Sequence, residues 1–511
     1  MTKIGIMPAT WHMLALAIAL GLAACANRAD DALEVTTGTV LRNATIVNTR
    51  DGSLAPGMTI VIEGGKIQRV TASTTVRTRG AAVSVDATGK YVVPGFLDMH
   101  THAMQAADRA PSFWPLLIAN GVTGIREMGG SAALIKRAKK LNADRVAGLV
   151  VAPEIVLIPG DIFVGRVAAP DLAAAQVRLQ KAEGADFIKI VNSSREVTLS
   201  ILAEARKQGL GVSGHLPTAV SAEEASNAGW RAVEHLGAGL GILLGCSTDE
   251  ASIRSAVLRG EGAKPPFPPT YISNPLLYSA LDAPFYRRIT QTFDEGKCQS
   301  LAKVLAKNET WQVPTLIRLR TMEFSGSVLY RTDPNLVYVD RTTRALWESL
   351  GKQYADQLSP DAVAAFQDYY GLQQRLTKLL KRNGVKILAG SDLGGIWVIP
   401  GFSLHQEFHE LANAGLSPLE VLQATTLNAA EFLHRETTMG TVDQGKDADL
   451  VLLDANPIVD VANLDKISAV LVNGRYFPRQ SLDKMKIGVA EAYASQPLKS
   501  LSAATDPTHV H

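Results

Sequence analysis

Through the middle of the chain, short and almost wholly apolar segments alternate with amphipathic ones. "GVTGIREM", "VAGLVVAPEIV", "DFIKIV", "GVSGH", "RAVEHL", "WQVPTL" and "VKILAGSD" are the apolar members. "AAAQVRLQKAEG", "TLSILAEARKQG" and "SAEEASNAG" carry helical patterns between them. Strands buried on both faces lose the polar–apolar alternation of a half-exposed sheet, and strands separated by helices pair in parallel. Seven or eight such units within 94–436 predict a closed (β/α)8 barrel, with an open doubly wound sheet as the alternative. No well-placed G-x-G-x-x-G follows any of these strands, which argues against a dinucleotide site.

The ends have another texture. "TVLRNATIVNTRDG", "MTIVIEGGKIQRV" and "VSVDATGKYVVPG" read as short alternating strands with glycine turns. The same pattern returns in "GTVDQGKDADLVLLDANP" and "ISAVLVNGRYF". Residues 34–93 and 437–480 are therefore expected to build one small β-sandwich, with the barrel inserted between its halves. A long insertion over about 246–375 contains a loop, "EGAKPPFPPTYISNP", and a clear helix, "DAVAAFQDYYGLQQRLTKLLKRNG". In a barrel it sits over the catalytic end. The tail, 481–511, is weakly patterned and expected to be peripheral.

The first residues read as a targeting segment. Lys3 precedes "MLALAIALGLAAC", whose apolar run from Met13 to Ala24 is short for a membrane span. The expectation is a signal peptide over 1–24 and a polar linker over 25–33. "LAAC" resembles a lipobox, which implies a lipid anchor on Cys25, and Ala26 fits outer-membrane sorting. The location expected is the cell envelope, facing the periplasm or the cell surface, with a soluble periplasmic protein as the alternative. Net charge is +2 and aromatics are 6%, so no nucleic-acid partner is signalled. Only Cys246 and Cys298 remain, enough for one disulfide but not for a disulfide scaffold.

The chemistry-bearing residues sit where strands end. His100 and His102 close "GFLDMHTH", two residues apart and so on one strand face. Lys189, His215, His235 and Asp392 each lie within or at the end of a later apolar segment. Those are the catalytic positions of a barrel. A lone histidine is more often a satisfied core residue, but the set together reads as a site. His405 and His409 have i, i+4 spacing without the H-E-x-x-H order and read as a polar helix face near the site. His434 and the terminal "HVH" have no supporting partners.

"VVPGFLDMHTH", "GVTGIREMGG", "FIKI", "GHL", "VEHL", "AGSD" and "GLSPLEVLQATTLNAAEFL" resemble the amidohydrolase superfamily, in its imidazolonepropionase-like and prolidase-like branch. The resemblance implies a two-metal hydrolase. His100, His102 and Asp392 would hold one divalent ion, and His215 and His235 the other. Lys189 would bridge both as a carbamate (N6-carboxylysine). Zinc suits the ligand types best, though manganese, cobalt and iron also take them. Asp392 and His215 are counted in the catalytic machinery, Asp392 moving the water's proton to the leaving nitrogen.

For the substrate, Arg126 either clamps a carboxylate or pairs with Glu127 or another acid. Asn192 occupies a stretch where close relatives carry tyrosine, and Trp397 either lines the pocket or packs. Arg231 is expected to be structural. The substrate expected is a dipeptide, X-Pro included, or an N-acyl amino acid. The alternatives are a cyclic amide hydrolase or deaminase, or a non-catalytic surface-binding lipoprotein. A homo-oligomer is compatible with the family.

Overall fold

The computed structural model describes residues 33–72, 76–105, 110–263 and 274–497. The signal-peptide and lipobox readings, Cys25 included, lie outside the described residues. No described helix is long and apolar enough to cross a membrane.

Seven parallel strands and one irregular stave form a closed ring. They are β1 (Phe96–Thr101), β2 (Val122–Glu127), β3 (Glu154–Leu157), β4 (Phe187–Asn192), β5 (Gly211–Gly214), β6 (Trp230–Glu234) and β7 (Trp311–Val313). Strand pairs β1·β2, β2·β3, β4·β5, β5·β6 and β6·β7 are all parallel. A bridge between Pro159 and Phe187 joins the β3 and β4 sides. The eighth stave, 385–393, closes the ring: Gln312 N donates to Lys386 O at 3.0 Å, and Met99 N to Ala389 O at 2.9 Å. Leu97 and Met99 from β1, Ala232 from β6, Trp311 and Val313 from β7, and Leu388 form one buried cluster. The barrel is thus a packed core and not a pore.

Close strand approach decides two glycines. A Cβ on Gly214 would lie 1.9 Å from Ile190 O, and one on Gly390 would lie 2.9 Å from the His100 Cβ. Each sits beside a residue of the expected site, so the backbone there is as constrained as the ligand set.

The two chain ends do build one layer. Leu450–Leu453 pairs antiparallel with Tyr91–Pro94, which joins the late strands Ile467–Val472 and Arg475–Pro478 to the early ones. The result is an eight-stranded sheet with its own core, including Leu41, Ile60, Ile62, Val92, Leu450 and Leu471. A two-stranded piece, Leu33–Val35 with Val76–Thr78, packs on it through Val35, Val40, Val61 and Val76.

Two sequence expectations need correction. The insertion over 246–375 is not continuous, because β7 falls inside it and splits it into two helical blocks. The apolar segment "WQVPTL" marks this strand, of which only Trp311–Val313 is extended. The tail is not loosely peripheral as far as Ser495. Arg479–Ser495 is a helix whose Leu482, Val489 and Tyr493 are buried, the last two clustered with Leu116. That seven- and four-residue spacing is helical, but polar neighbours dilute it.

Cys246 and Cys298 form a disulfide across 52 residues of chain. It ties the C-terminal end of the short helix Gly241–Gly245, after β6, to the helix Glu295–Lys307. Closing a loop of that length is worth about 4 kcal/mol in the chain-entropy account. Cys246→Ser, or reduction, is expected to lower the melting temperature; an unchanged melt would show that the link contributes nothing to stability.

Candidate active site

Three irregularities bring the site residues together. The β1·β2 register slips between Asp98 and Thr101, three residues on β1 facing two on β2. Such a bulge re-aims the side chains around it. Asp98 accordingly accepts from Ser391 N at 2.9 Å on the neighbouring stave, whereas His100 Nδ1 meets Glu234 Oε2 at 2.7 Å on β6. His235 leaves β6 with φ 54°, and Asp392 leaves the eighth stave with φ 57°. Neither residue is glycine, and backbone held in that region marks local strain, commonly kept at functional sites.

Asp392 is the hub. Its Oδ1 lies 3.3 Å from His100 Nε2 and 3.5 Å from His102 Nε2, and its Oδ2 lies 3.8 Å from His235 Nε2. The His215 ring centroid is 5.0 Å from that of His235. Ligand atoms of His100, His235 and Asp392 all fall within 4.8 Å of one another, a spacing that one cation can span.

The partners on the far side of the rings fix their orientation. His100 Nδ1 is held by Glu234, His102 Nδ1 by Gln105 Oε1 at 2.6 Å, and His235 Nδ1 by the Thr315 hydroxyl. Each leaves its Nε2 pointing at the centre. The Nε2 atoms of His100, His102, His215 and His235, and Lys189 Nζ, are buried with no hydrogen-bond partner among the described residues. An unsatisfied buried polar atom costs about 1–3 kcal/mol. Four inward-turned imidazole nitrogens with the Lys189 amine beside them fit a cation site, the imidazoles being its donors.

Electrostatics agree. Burial pushes the His102 imidazole down to about 4, against the opposing pull of Asp392. His215 and His235 are also driven well below the ordinary range by burial. These rings are therefore neutral near pH 7, the form that ligates metal. Burial lowers the Lys189 amine to about 8 despite nearby Glu234 and Asp392. Burial alone would raise Asp392, but the imidazoles of His235 and His100 outweigh it and hold the carboxyl well below its ordinary value.

His100, His235 and Asp392 thus converge, with His102 beside Asp392 and His215 beside His235; the substrate candidates do not join them. Arg126 is fully buried: its Nη2 donates to Glu234 Oε1 at 2.7 Å and its Nε to Met99 O at 2.6 Å. The clamp expectation gives way to pairing with an acid, because no face of this side chain reaches solvent. Trp397 packs; it is 3% exposed, lies 6.0 Å from the stacked Tyr330 ring and donates to Ser325 Oγ. Asn192 stands exposed at the end of β4. His405 and His409 both pair with Asp465, and His405 also meets Asn120 O, so neither belongs to the cluster. Arg231 lies over the Phe432 ring and donates to Phe432 O, a packing role.

Sequence reasoning missed Glu234, Gln105, Thr315 and Arg318. Arg318, on the helix Leu316–Glu323, sets its Nε 3.1 Å from Asp392 Oδ2. Glu234 had a signal, being the residue before His235 in "VEHL". Arg318 had none beyond following β7.

Residues 373–476 match the model of the amidohydrolase family. An adenine deaminase from Chelativorans sp. (strain BNC1) is 26% identical over 197 residues, 35% of this chain and 32% of that protein. An imidazolonepropionase from Anaeromyxobacter dehalogenans (strain 2CP-1 / ATCC BAA-258) is 30% identical over 112 residues, 20% of this chain and 27% of that one. The chain thus matches about a third or less of the length of these relatives. Among solved structures, a bottromycin amidohydrolase superposes with TM-score 0.66 at 21% identity, covering 92% of this chain and 93% of its own. A Xaa-Pro dipeptidase with bound methionine gives 0.60 at 18% identity, covering 86% and 99%. The fold is therefore a TIM-barrel amidohydrolase fold with an accessory sheet built from both chain ends. Its barrel mouth carries a metal-binding catalytic site of the kind a metal-dependent amidohydrolase uses.

Proposed function

We propose that this chain hydrolyses the carbon–nitrogen bond of an amide in a small substrate, with divalent metal at the barrel mouth. The observation that carries the reading is the convergence of His100, His235 and Asp392 with further buried, unpartnered nitrogens around them. Divalent metal held there would supply Lewis-acid activation of a water and of the carbonyl near neutral pH. Asp392 takes the proton from that water and delivers it to the departing nitrogen; no buried neutral acid is required, since its carboxyl is ionised. Glu234, Gln105 and Thr315 keep the imidazoles turned inward.

One cation is the minimum this cluster implies. His215 and His235 would hold a second, with Lys189, once carboxylated, supplying anionic oxygen donors between them; this deepens the proposal. Lys189 supports it by being buried, unpartnered and lowered enough to supply free amine for carbon dioxide. Zinc fits the imidazole–carboxylate donors. Wild-type protein is expected to bind two equivalents of zinc when bicarbonate is present, and Lys189→Met one. Two equivalents in both proteins would remove the bridge from the proposal.

Two substrate classes remain in view. The curated sequence relatives favour a cyclic amide, or a ring amine removed as ammonia, over the linear peptides expected from sequence. Likeness along nearly the whole chain to a Xaa-Pro dipeptidase favours a dipeptide or N-acyl amino acid. Metal-replete protein assayed side by side on imidazolone-type lactams, aminopurines, X-Pro dipeptides and N-acyl amino acids separates them. Turnover of none of these classes would overturn the reading and return the surface-binding alternative. The disulfide, stable mainly in oxidising compartments, supports an envelope location, with the lipid anchor on Cys25 part of that proposal.

A further inference from the structure

Behind His100 lies a buried ionic pair, of which the proposed mechanism uses only the hold of Glu234 on that ring. Arg126 on β2 and Glu234 on β6 are both wholly inaccessible. Removing an ion pair from water costs several kcal/mol per ion, and hydrophobic replacements of similar volume are often as stable. Stability is thus a weak reason for placing a pair here, and geometry supplies a better one.

Glu234 uses its two oxygens separately. Oε2 meets His100 Nδ1 at 2.7 Å, and Oε1 accepts from Arg126 at 2.7 Å. Arg126 in turn reaches the carbonyl of Met99, the residue before His100, at 2.6 Å. The chain of contacts starts on β1, crosses β2 and β6, and returns to β1 at the histidine itself. The guanidinium is also set between the rings of Phe187 and Phe432, 5.7 and 5.2 Å from their centroids. That aromatic bracket leaves it little freedom to turn. With Arg126 on one oxygen and the His100 ring on the other, Glu234 is placed to accept from the imidazole N–H.

We propose that Glu234 and Arg126 are positioning residues for metal. Glu234 keeps the His100 proton on Nδ1, so that Nε2 presents its lone pair to the cation. Arg126 keeps Glu234 from rotating away, and ties it to the backbone that carries His100. The strained exit of β6 is part of the same device. Glu234 faces the barrel interior, and the left-handed His235 that follows turns back to the mouth, so adjacent residues serve the site as orienter and ligand.

This rests on the metal reading above, and the test separates the two. Zinc affinity is measured by competition with a chromophoric chelator on folded wild-type protein and on Glu234→Gln. Loss of such an orienting partner typically weakens metal binding about 10–100-fold. That loss is expected for Glu234→Gln, while Lys140→Ala, an exposed control, binds as wild type. Arg126→Lys keeps the charge but not the two-point reach, and is expected to fall between Glu234→Gln and wild type. It also serves as the second variant if Glu234→Gln does not fold. Circular dichroism of the metal-free proteins controls for a merely structural effect, which would lower stability without changing affinity in the folded fraction. Equal zinc affinity of either folded variant and wild type overturns the inference and leaves the metal site standing. A wild-type protein that binds no zinc, cobalt or manganese overturns the functional reading itself.

Discussion

Asp392→Asn is expected to lower turnover about 1000-fold, the scale of removing a positioned proton carrier. The side chain reaches three imidazoles of the cluster and one guanidinium. Its Oδ1 lies against His100 and His102, and its Oδ2 against His235 and Arg318. Asparagine keeps the shape but neither the charge nor the ability to accept the water's proton. It also leaves Arg318 buried beside a neutral amide, and breaking a buried pair costs about 3–5 kcal/mol. The variant should therefore melt earlier as well as turn over more slowly. A melt run beside the steady-state assay keeps the two effects apart. Folded Asp392→Asn with more than a tenth of wild-type turnover would place the proton transfer elsewhere.

Stripping metal with a chelator is expected to abolish activity and to destabilise the fold, with both restored by added zinc. Metal-free, the centre leaves four imidazole nitrogens and the Lys189 amine without hydrogen bonds in the interior. A cation bound only by the folded state adds about 2.7 kcal/mol at a free concentration 100 times its dissociation constant. The melting temperature should therefore rise with zinc concentration, and it should rise less for His235→Ala. Full turnover in demonstrably metal-free protein would sink the mechanism. Chelation that abolishes activity with no change in melting temperature would mean that the cation contributes to chemistry and not to stability.

Much of this centre was legible because ligands in a barrel of this kind stand at strand ends. A strand end is visible in sequence as the place where an apolar run meets a polar residue. His100, His102, His215, His235 and Asp392 carry that mark, and Lys189 interrupts an apolar run from within. Arg126 carries it too, yet it points into the core. A residue type and a position do not reveal whether a side chain meets solvent or an acid contributed by a strand 108 residues away. Arg318 and Thr315 were silent for the reverse reason. They lie in a turn and a helix after a three-residue strand, and only the closure of the barrel brings them to Asp392 and His235.

The sequence by itself determined the alternation of strand and helix, the pairing of early and late chain into one sheet, and the donors available to a cation. Those are local properties: apolar period, turn chemistry and residue type. The tertiary structure decided which nitrogens converge, which acid orients each ring, and which arginine is scaffold. Those depend on a bulge in β1 and left-handed turns at His235 and Asp392. Such conformations are held by packing from distant segments, and no neighbouring residue encodes them.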